Sequence, residues 1–311
     1  MTFESPRRIV FLGMLGALSA IPFETLLWAG ADVRAVIVPS VLPNLTLREL
    51  PHAASLAGIP LQPVRPNVLD IAREHHVPAW TVSDLRHPDS IARLRALQPD
   101  LLIVSCFRHI LPGAWLAAPA HGAWNLHPSL LPRLRGPDPL FWSFHENAQP
   151  GVSIHRMSTK VDAGPVLAQA ALQFPDGINY AEAERICAQA GASLFLNALA
   201  ALDQGTLAET AQQDADADYH PLPSGPDFVV TESWQVRHAF NFMRAVSDLG
   251  APRLWLAGQE FIVREALDYV EGAEMNEAIR ISGHELSARL ADGVLRVYTS
   301  PVRPNLELTR T

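Results

Sequence analysis

Residues 7–20 read RRIVFLGMLGALSA, residues 33–38 read VRAVIV, and the interpretation of the first run decides the fold. Two arginines ahead of an apolar stretch that ends in small residues match a secretory or twin-arginine leader. The same letters describe a buried strand, Ile9 to Leu12, turning at Gly13 and Gly16 into a helix from about Ile21 to Trp28. Strands covered on both faces are continuous apolar runs, so composition cannot separate the two readings. VRAVIV separates them. It follows Gly30 as a second buried strand and completes a strand–helix–strand unit that needs Ile9 to Leu12 as its first member. No other stretch nears about 18 uninterrupted apolar residues, so no membrane span is expected.

Outward from that unit the alternation continues. Helices are expected at Val68–His75, Pro88–Leu97, Leu140–Glu146 and Tyr180–Leu202, and strands at Ala79–Val82, Leu101–Ser105, Ala123–Leu126, Val152–Met157 and Pro165–Phe174. This is the pattern of an α/β fold, a Rossmann-like, mostly parallel sheet with helices on both faces. Residues 205–226 are polar, acidic and proline-bearing and read as a linker. Beyond it a helix at Ser233–Val246 precedes short alternating runs, with an Asp292-Gly293 turn between the last two. The expected organisation is a catalytic domain at 1–204, a linker at 205–226 and a small β-barrel-like domain at 227–311.

With 311 residues the chain is long enough for about two domains at roughly 100–200 residues each. Apolar residues are 48% and charged residues 18%, which excludes disorder. The net charge of −8 gives no broad basic face, so DNA is not an expected partner and neither is a membrane. Cys106 and Cys187 are too few for a disulfide framework or a cysteine zinc site. A cytoplasmic protein is the expectation.

The polar cluster after the fifth apolar run carries the chemistry. From His121 the chain reads HGAWNLHPSLLPRLRGPDPLFW, and from Gly151 GVSIHRMSTKVDAGPVL. Asn125 and His127 are one residue apart near the end of a strand, so alternation puts both side chains on one face. Ligands of open parallel sheets bind at strand C-terminal ends. Pro128 stops the strand, and Asp162 precedes Gly164 in a turn. An amide, an imidazole and a carboxylate meeting there suit acyl transfer: a donor for an oxyanion, a group that moves a proton, and a charge that tunes it. By spacing alone, Asn-x-His at a strand end is more often turn chemistry than a site, and Asp before Gly is usually a turn residue.

The ordered string Asn125, His127, Ser129-Leu130-Leu131-Pro132, Gly136, then Gly151-x-Ser153-x-His155 and Asp162-Ala163-Gly164, resembles the folate-dependent formyltransferases. Length, linker and C-terminal β region are most similar to the methionyl-tRNA formyltransferase branch. The resemblance implies a domain that binds 10-formyltetrahydrofolate as formyl donor, with Asn125, His127 and Asp162 as catalytic residues. It places the donor against Arg108, His109 and Leu111, against Ser129, Leu130, Leu131 and Pro132, and against Ser158 and Val161. The enzyme implied belongs to one-carbon metabolism.

Two departures bear on the acceptor. The loop PSVLPNLTLRELPHAASLAGIPLQP after the second strand holds one arginine, Arg48, beside Glu49, and no lysine. A tRNA-directed relative would carry basic residues there, because phosphate contacts dominate nucleic-acid affinity. Lys160 is the sole lysine of the chain, and the tail RPNLELTRT is also poor in basic residues. The reading placed first is N-formyl transfer to a small amine. The alternatives are initiator methionyl-tRNA as acceptor, hydrolysis of the donor, and folate binding without turnover. The twelve histidines form no ligand spacing, so no metal is expected. Cys106 is read as a buried apolar side chain rather than a nucleophile.

Overall fold

β1 (Ile9–Gly13) is buried along its whole length because it has a strand on either side. The computed structural model describes residues 7–51 and 67–300. The loop after the second strand is therefore described only as far as residue 51, and the tail 303–311 lies outside the described residues. In chain order β1 leads to α1 (Ala17–Trp28), β2 (Val33–Pro39), β3 (Arg48–Glu49), α2 (Val68–Glu74), β4 (Ala79–Val82) and α3 (Pro88–Ala96). Then come β5 (Leu101–Ser105), α4 (Gly113–Leu116), β6 (Ala123–His127), α5 (Pro139–His145), β7 (Gly151–Arg156), β8 (Val166–Ala171) and α6 (Tyr180–Asp203). The strands form one sheet in the order β3-β4-β2-β1-β5-β6-β7-β8. Pairing is parallel from β4 to β6 and antiparallel at β3, β7 and β8. The chain runs outward from β1 to β4, then returns to β5 on the other side of β1. This reversal makes the β1–β5 boundary the switch point.

The start of α1 differs from the expectation. The expected start is about Ile21, whereas the helix begins at Ala17 with Pro22 inside. A proline there removes the N–H that would reach the Leu18 carbonyl. The buried Ser105 hydroxyl donates to that carbonyl instead. Ser19 Oγ donates to the Ser105 carbonyl at 2.5 Å and accepts from Met14 N–H at 2.8 Å, tying α1 to the switch point. One side of the sheet packs Val10, Leu12, Ile37, Leu102 and Val104 with Leu94 and Trp115. On β1 the intervening Phe11 meets Phe23 of α1 at 5.1 Å between ring centroids. α6 is, among the described residues, the helix with the length and apolarity of a membrane span. Its Cys187, Ala188, Ala192, Phe195, Ala198 and Leu199 are buried, and a Cβ on Gly191 would lie 2.4 Å from Leu126 of β6. That is the buried stripe of a core helix.

The second sheet contains β9 (Val229–Thr231), β10 (Arg253–Leu256), β11 (Gln259–Glu271), β12 (Ile279–Ser282), β13 (Glu285–Leu290) and β14 (Gly293–Thr299), in the order β12-β13-β14-β11-β10-β9. Helix α7 (Val236–Val246) buries Val236, Ala239, Phe242, Met243 and Val246 and packs on β11 and β14. Asp292 caps it by accepting from Val236 N–H at 2.7 Å. β11 is longer than the expected strand because it pairs with β10 in its first part and β14 in its second, shifting register near Val263 and Ala266.

The chain divides into two compact units: Met1–Leu140, Gln149–Gln173 and Glu184–Pro221 in the first, and Phe141–Ala148, Phe174–Ala183 and Leu222–Thr311 in the second. Residues 205–221, expected as linker, group with the first unit. Thr210 exchanges both backbone hydrogen bonds with Val166 at 2.8 Å, and Arg135 N–H and His220 N–H bridge 135 to 218–220 at 3.1 and 2.9 Å.

Candidate active site

The site grows from strand register. β6 pairs parallel with β5 and antiparallel with β7, placing Asn125 opposite His155 and His127 opposite Ser153. Directly opposed residues share a face, so all four side chains lie on one side of the sheet. Trp124 and Leu126 point the other way into the core. Asn125 Nδ2 donates to His155 Nε2 at 3.1 Å. His155 Nδ1 in turn donates to the Arg156 carbonyl at 3.2 Å. His155 belongs to the quoted Gly151-x-Ser153-x-His155 run but was not among the expected catalytic residues. Its signal was the antiparallel register, which spacing within one strand does not reveal.

His127 is buried, with 3% of its surface exposed. Its Nε2–H donates to the Leu134 carbonyl at 2.8 Å, which leaves Nδ1 as the lone-pair nitrogen of the neutral ring. Asp162 Oδ2 lies 3.7 Å from that Nδ1, and Asp162 Oδ1 lies 3.5 Å from His155 Nε2. Asp162 sits in the left-handed region at φ 50° and accepts from Gly136 N–H at 3.0 Å. Two glycines allow these turns. A Cβ at Gly164 would fall 1.8 Å from the Arg156 carbonyl oxygen, and one at Gly136 2.0 Å from that of His220.

Burial pulls His127 below its ordinary 6.5 and outweighs the opposing charge of Asp162, so the ring is neutral at neutral pH. For Asp162 burial acts upward, but His127, His155 and the Gly136 N–H together hold the carboxyl at about 2. The pair is thus a carboxylate facing an imidazole lone pair. The space between them suits a proton or a donor group.

The remaining predicted residues divide. Ser129, Leu130, Leu131 and Pro132 form the turn after β6, but the Ser129 hydroxyl is used internally, donating to the Arg133 carbonyl at 2.7 Å. Ser153 Oγ donates to the Ser129 carbonyl and accepts from Leu131 N–H, and Gln169 holds the Leu131 carbonyl at 2.8 Å. Leu131 is buried, and the Leu111 side chain sits in the sheet core at 3% exposure. Arg108 is exposed and His109 half-buried in the segment after β5, and Ser158 and Val161 are exposed in the segment before Asp162. Cys106 also departs from expectation. The residue is exposed at φ 58° where β5 ends, yet burial around its sulfur, helped by the charges of Glu184 and Asp138, pushes the thiol up to about 11, which disfavours a thiolate nucleophile. A cleft of about 310 Å³ opens along Leu131, Pro132, Val166–Gln169 and Thr210–Gln213, and none of Asn125, His127 or Asp162 lines it.

Residues 9–199 match the family described as formyl transferase, and the chain belongs to that family. It is 28% identical over 234 residues to a methionyl-tRNA formyltransferase of Syntrophomonas wolfei, covering 74% of each chain. A methionyl-tRNA formyltransferase of Trichlorobacter lovleyi is 36% identical over 166 residues, covering 53% of this chain and 52% of that one. Among solved structures the fold is similar to WlaRD, a sugar 3N-formyl transferase crystallised with dTDP and 5-N-formyl-THF, at TM-score 0.65 and 14% identity over 97% of this chain and all of that one. It is also similar to HypX from Aquifex aeolicus in complex with tetrahydrofolic acid, at TM-score 0.60 and 17% identity, covering 94% of this chain and 44% of that one.

Proposed function

We propose that the chain is an N-formyltransferase that moves a formyl group from 10-formyltetrahydrofolate to a small-molecule amine. The observation that carries the chemistry is the His127–Asp162 pair: a neutral imidazole, anchored through Nε2 to the Leu134 carbonyl, turns an open Nδ1 toward a carboxylate 3.7 Å away. The residues expected to hold the donor suit a planar, hydrogen-bonding ring. His109 Nε2 is buried without a hydrogen-bond partner among the described residues, and Ile110 beside it is 73% exposed. The family resemblance adds the exposed Arg108, Ser158 and Val161 to that set.

When bound, the folate supplies a formyl carbon attached to nitrogen. Asn125 carries two N–H groups, one engaged with His155, and the other serves the carbonyl oxygen that gathers charge as an amine adds. His127 Nδ1 takes the proton of the attacking amine, and Asp162 offsets the charge that the ring then carries. As the new C–N bond forms and the old one breaks, His127 gives that proton to the departing nitrogen.

The small-amine acceptor rests on local charge. In the described part of the β2–β3 loop Val41 and Leu42 are exposed, and Arg48 stands beside Glu49. The named relatives favour a second reading, initiator methionyl-tRNA. Incubating the chain and 10-formyltetrahydrofolate with a panel of small amines, or with charged initiator tRNA, separates the two. Formyl mass on a small amine, with no salt-sensitive tRNA binding, supports the first reading. Formyl mass on the tRNA alone overturns it.

A further inference from the structure

Gln212 lies in the polar run whose composition reads as linker, and its amide spends its full hydrogen-bonding capacity on the loops of the site. Nε2 donates to the Asp162 carbonyl at 2.8 Å and to the Gly164 carbonyl at 2.7 Å. Oε1 accepts from Arg135 Nε at 3.1 Å and from Arg135 Nη2 at 2.8 Å. Arg135 sits between Leu134, whose carbonyl holds His127 Nε2, and Gly136, whose N–H holds Asp162 Oδ2. One side chain therefore joins the loop that fixes one nitrogen of His127 to the turn that brings the carboxylate to the other. Gln212 is itself set by the Thr210–Val166 backbone pair two residues earlier. A side chain with two donors and an acceptor on one planar head meets this demand. A glutamate would face two carbonyl oxygens, and an arginine could not accept from Arg135.

We propose that Gln212 is a positioning residue, holding Asp162 and the Leu134–Gly136 segment in the alignment that the His127–Asp162 pair requires. The inference rests on the formyl-transfer reading of the site, and it names a residue that acts through Asp162 and Arg135 rather than on the reacting atoms. Displacing a catalytic group by about 1 Å can lower a rate by about 100-fold. A local shift of the Asp162 turn acts on turnover more than on binding.

The test compares the full chain with Gln212→Ala, the near-isosteric Gln212→Glu, and Gln213→Ala at the exposed neighbour. With a turned-over amine, kcat is expected to fall roughly 10- to 100-fold in both Gln212 variants, with KM for the donor held and Gln213→Ala like wild type. The acid limb of the kcat profile is expected to move to lower pH, because a displaced Asp162 supports the charged His127 ring less. Wild-type kcat and an unmoved acid limb in both variants, with only a lower Tm, would overturn the proposal. Imidazole nitrogen shifts of histidine-labelled protein report on the same alignment without turnover. Wild type should show His127 as a single Nε2–H tautomer, and Gln212→Ala an averaged one. If wild type transfers no formyl group, the functional reading fails, and an unchanged His127 tautomer in Gln212→Ala then removes the positioning claim as well.

Discussion

Replacing Asp162 with asparagine keeps the shape of the side chain and an oxygen to accept from Gly136 N–H, and removes only the charge. That charge lies 3.7 Å from His127 Nδ1. At an effective dielectric of about 20, a carboxylate at this distance stabilises a protonated ring by about 4 kcal/mol. Asp162→Asn should therefore lower kcat by about 10³-fold while leaving KM for the donor nearly unchanged. The substitution also affects folding. The carboxyl is held at about 2 against an ordinary 3.8, a gap that favours the folded chain. Because the folded value is the lower one, this contribution is present above pH 3.8 and is lost as pH falls toward 2. Steady-state kinetics with the amine that turns over, beside urea unfolding of both proteins at neutral pH, measure the two effects. A kcat within threefold of wild type in a folded variant would refute the role given to the charge.

Three further outcomes follow from the same geometry. His127 lies below 6.5 in the folded chain, so its contribution to stability is present above pH 6.5 and lost as pH falls through its folded value. kcat should fall over the same acidic window as the ring becomes charged. Since His109, His121 and His238 are also held low, the His127 share is the difference in unfolding free energy between wild type and His127→Asn at pH 7.5 and 5.5. An identical pH dependence in both would remove it. Ser105→Ala strands the Leu18 carbonyl and should destabilise the chain by about 1–3 kcal/mol in urea unfolding. In a Pro22→Ala background, where an N–H again reaches Leu18, most of that loss should vanish, and additive effects would disprove the coupling. Gly136→Ala brings a Cβ against the His220 carbonyl and should lower both Tm and kcat, whereas an unchanged Tm would show that the loop yields freely.

The sheet was legible because its residues obey short-range rules. VRAVIV demanded a first strand, and the one-residue spacing of Asn125 and His127 stated their shared face. Their partners depend on distant contacts. His155 joins through antiparallel register with Asn125, and Leu134 enters by a carbonyl that carries no side-chain signature. Gln212 reaches carbonyls 48 and 50 positions away from a run whose acidity and prolines resemble a linker. The apolar strand that Cys106 follows suggests burial, yet the residue is exposed where the strand gives way to the loop. The early turns of α1 draw on Ser105, more than eighty residues on, whose hydroxyl meets the Leu18 carbonyl that Pro22 leaves open.

Formyl transfer by the full chain and by His127→Ala, measured side by side with 10-formyltetrahydrofolate and the small amine that turns over, tests the central claim most directly. Wild type is expected to form N-formyl product and tetrahydrofolate in equal amounts, and the variant to stay folded, still bind the donor and form neither. Wild-type turnover in His127→Ala, or no transfer by wild type to any amine, would contradict it.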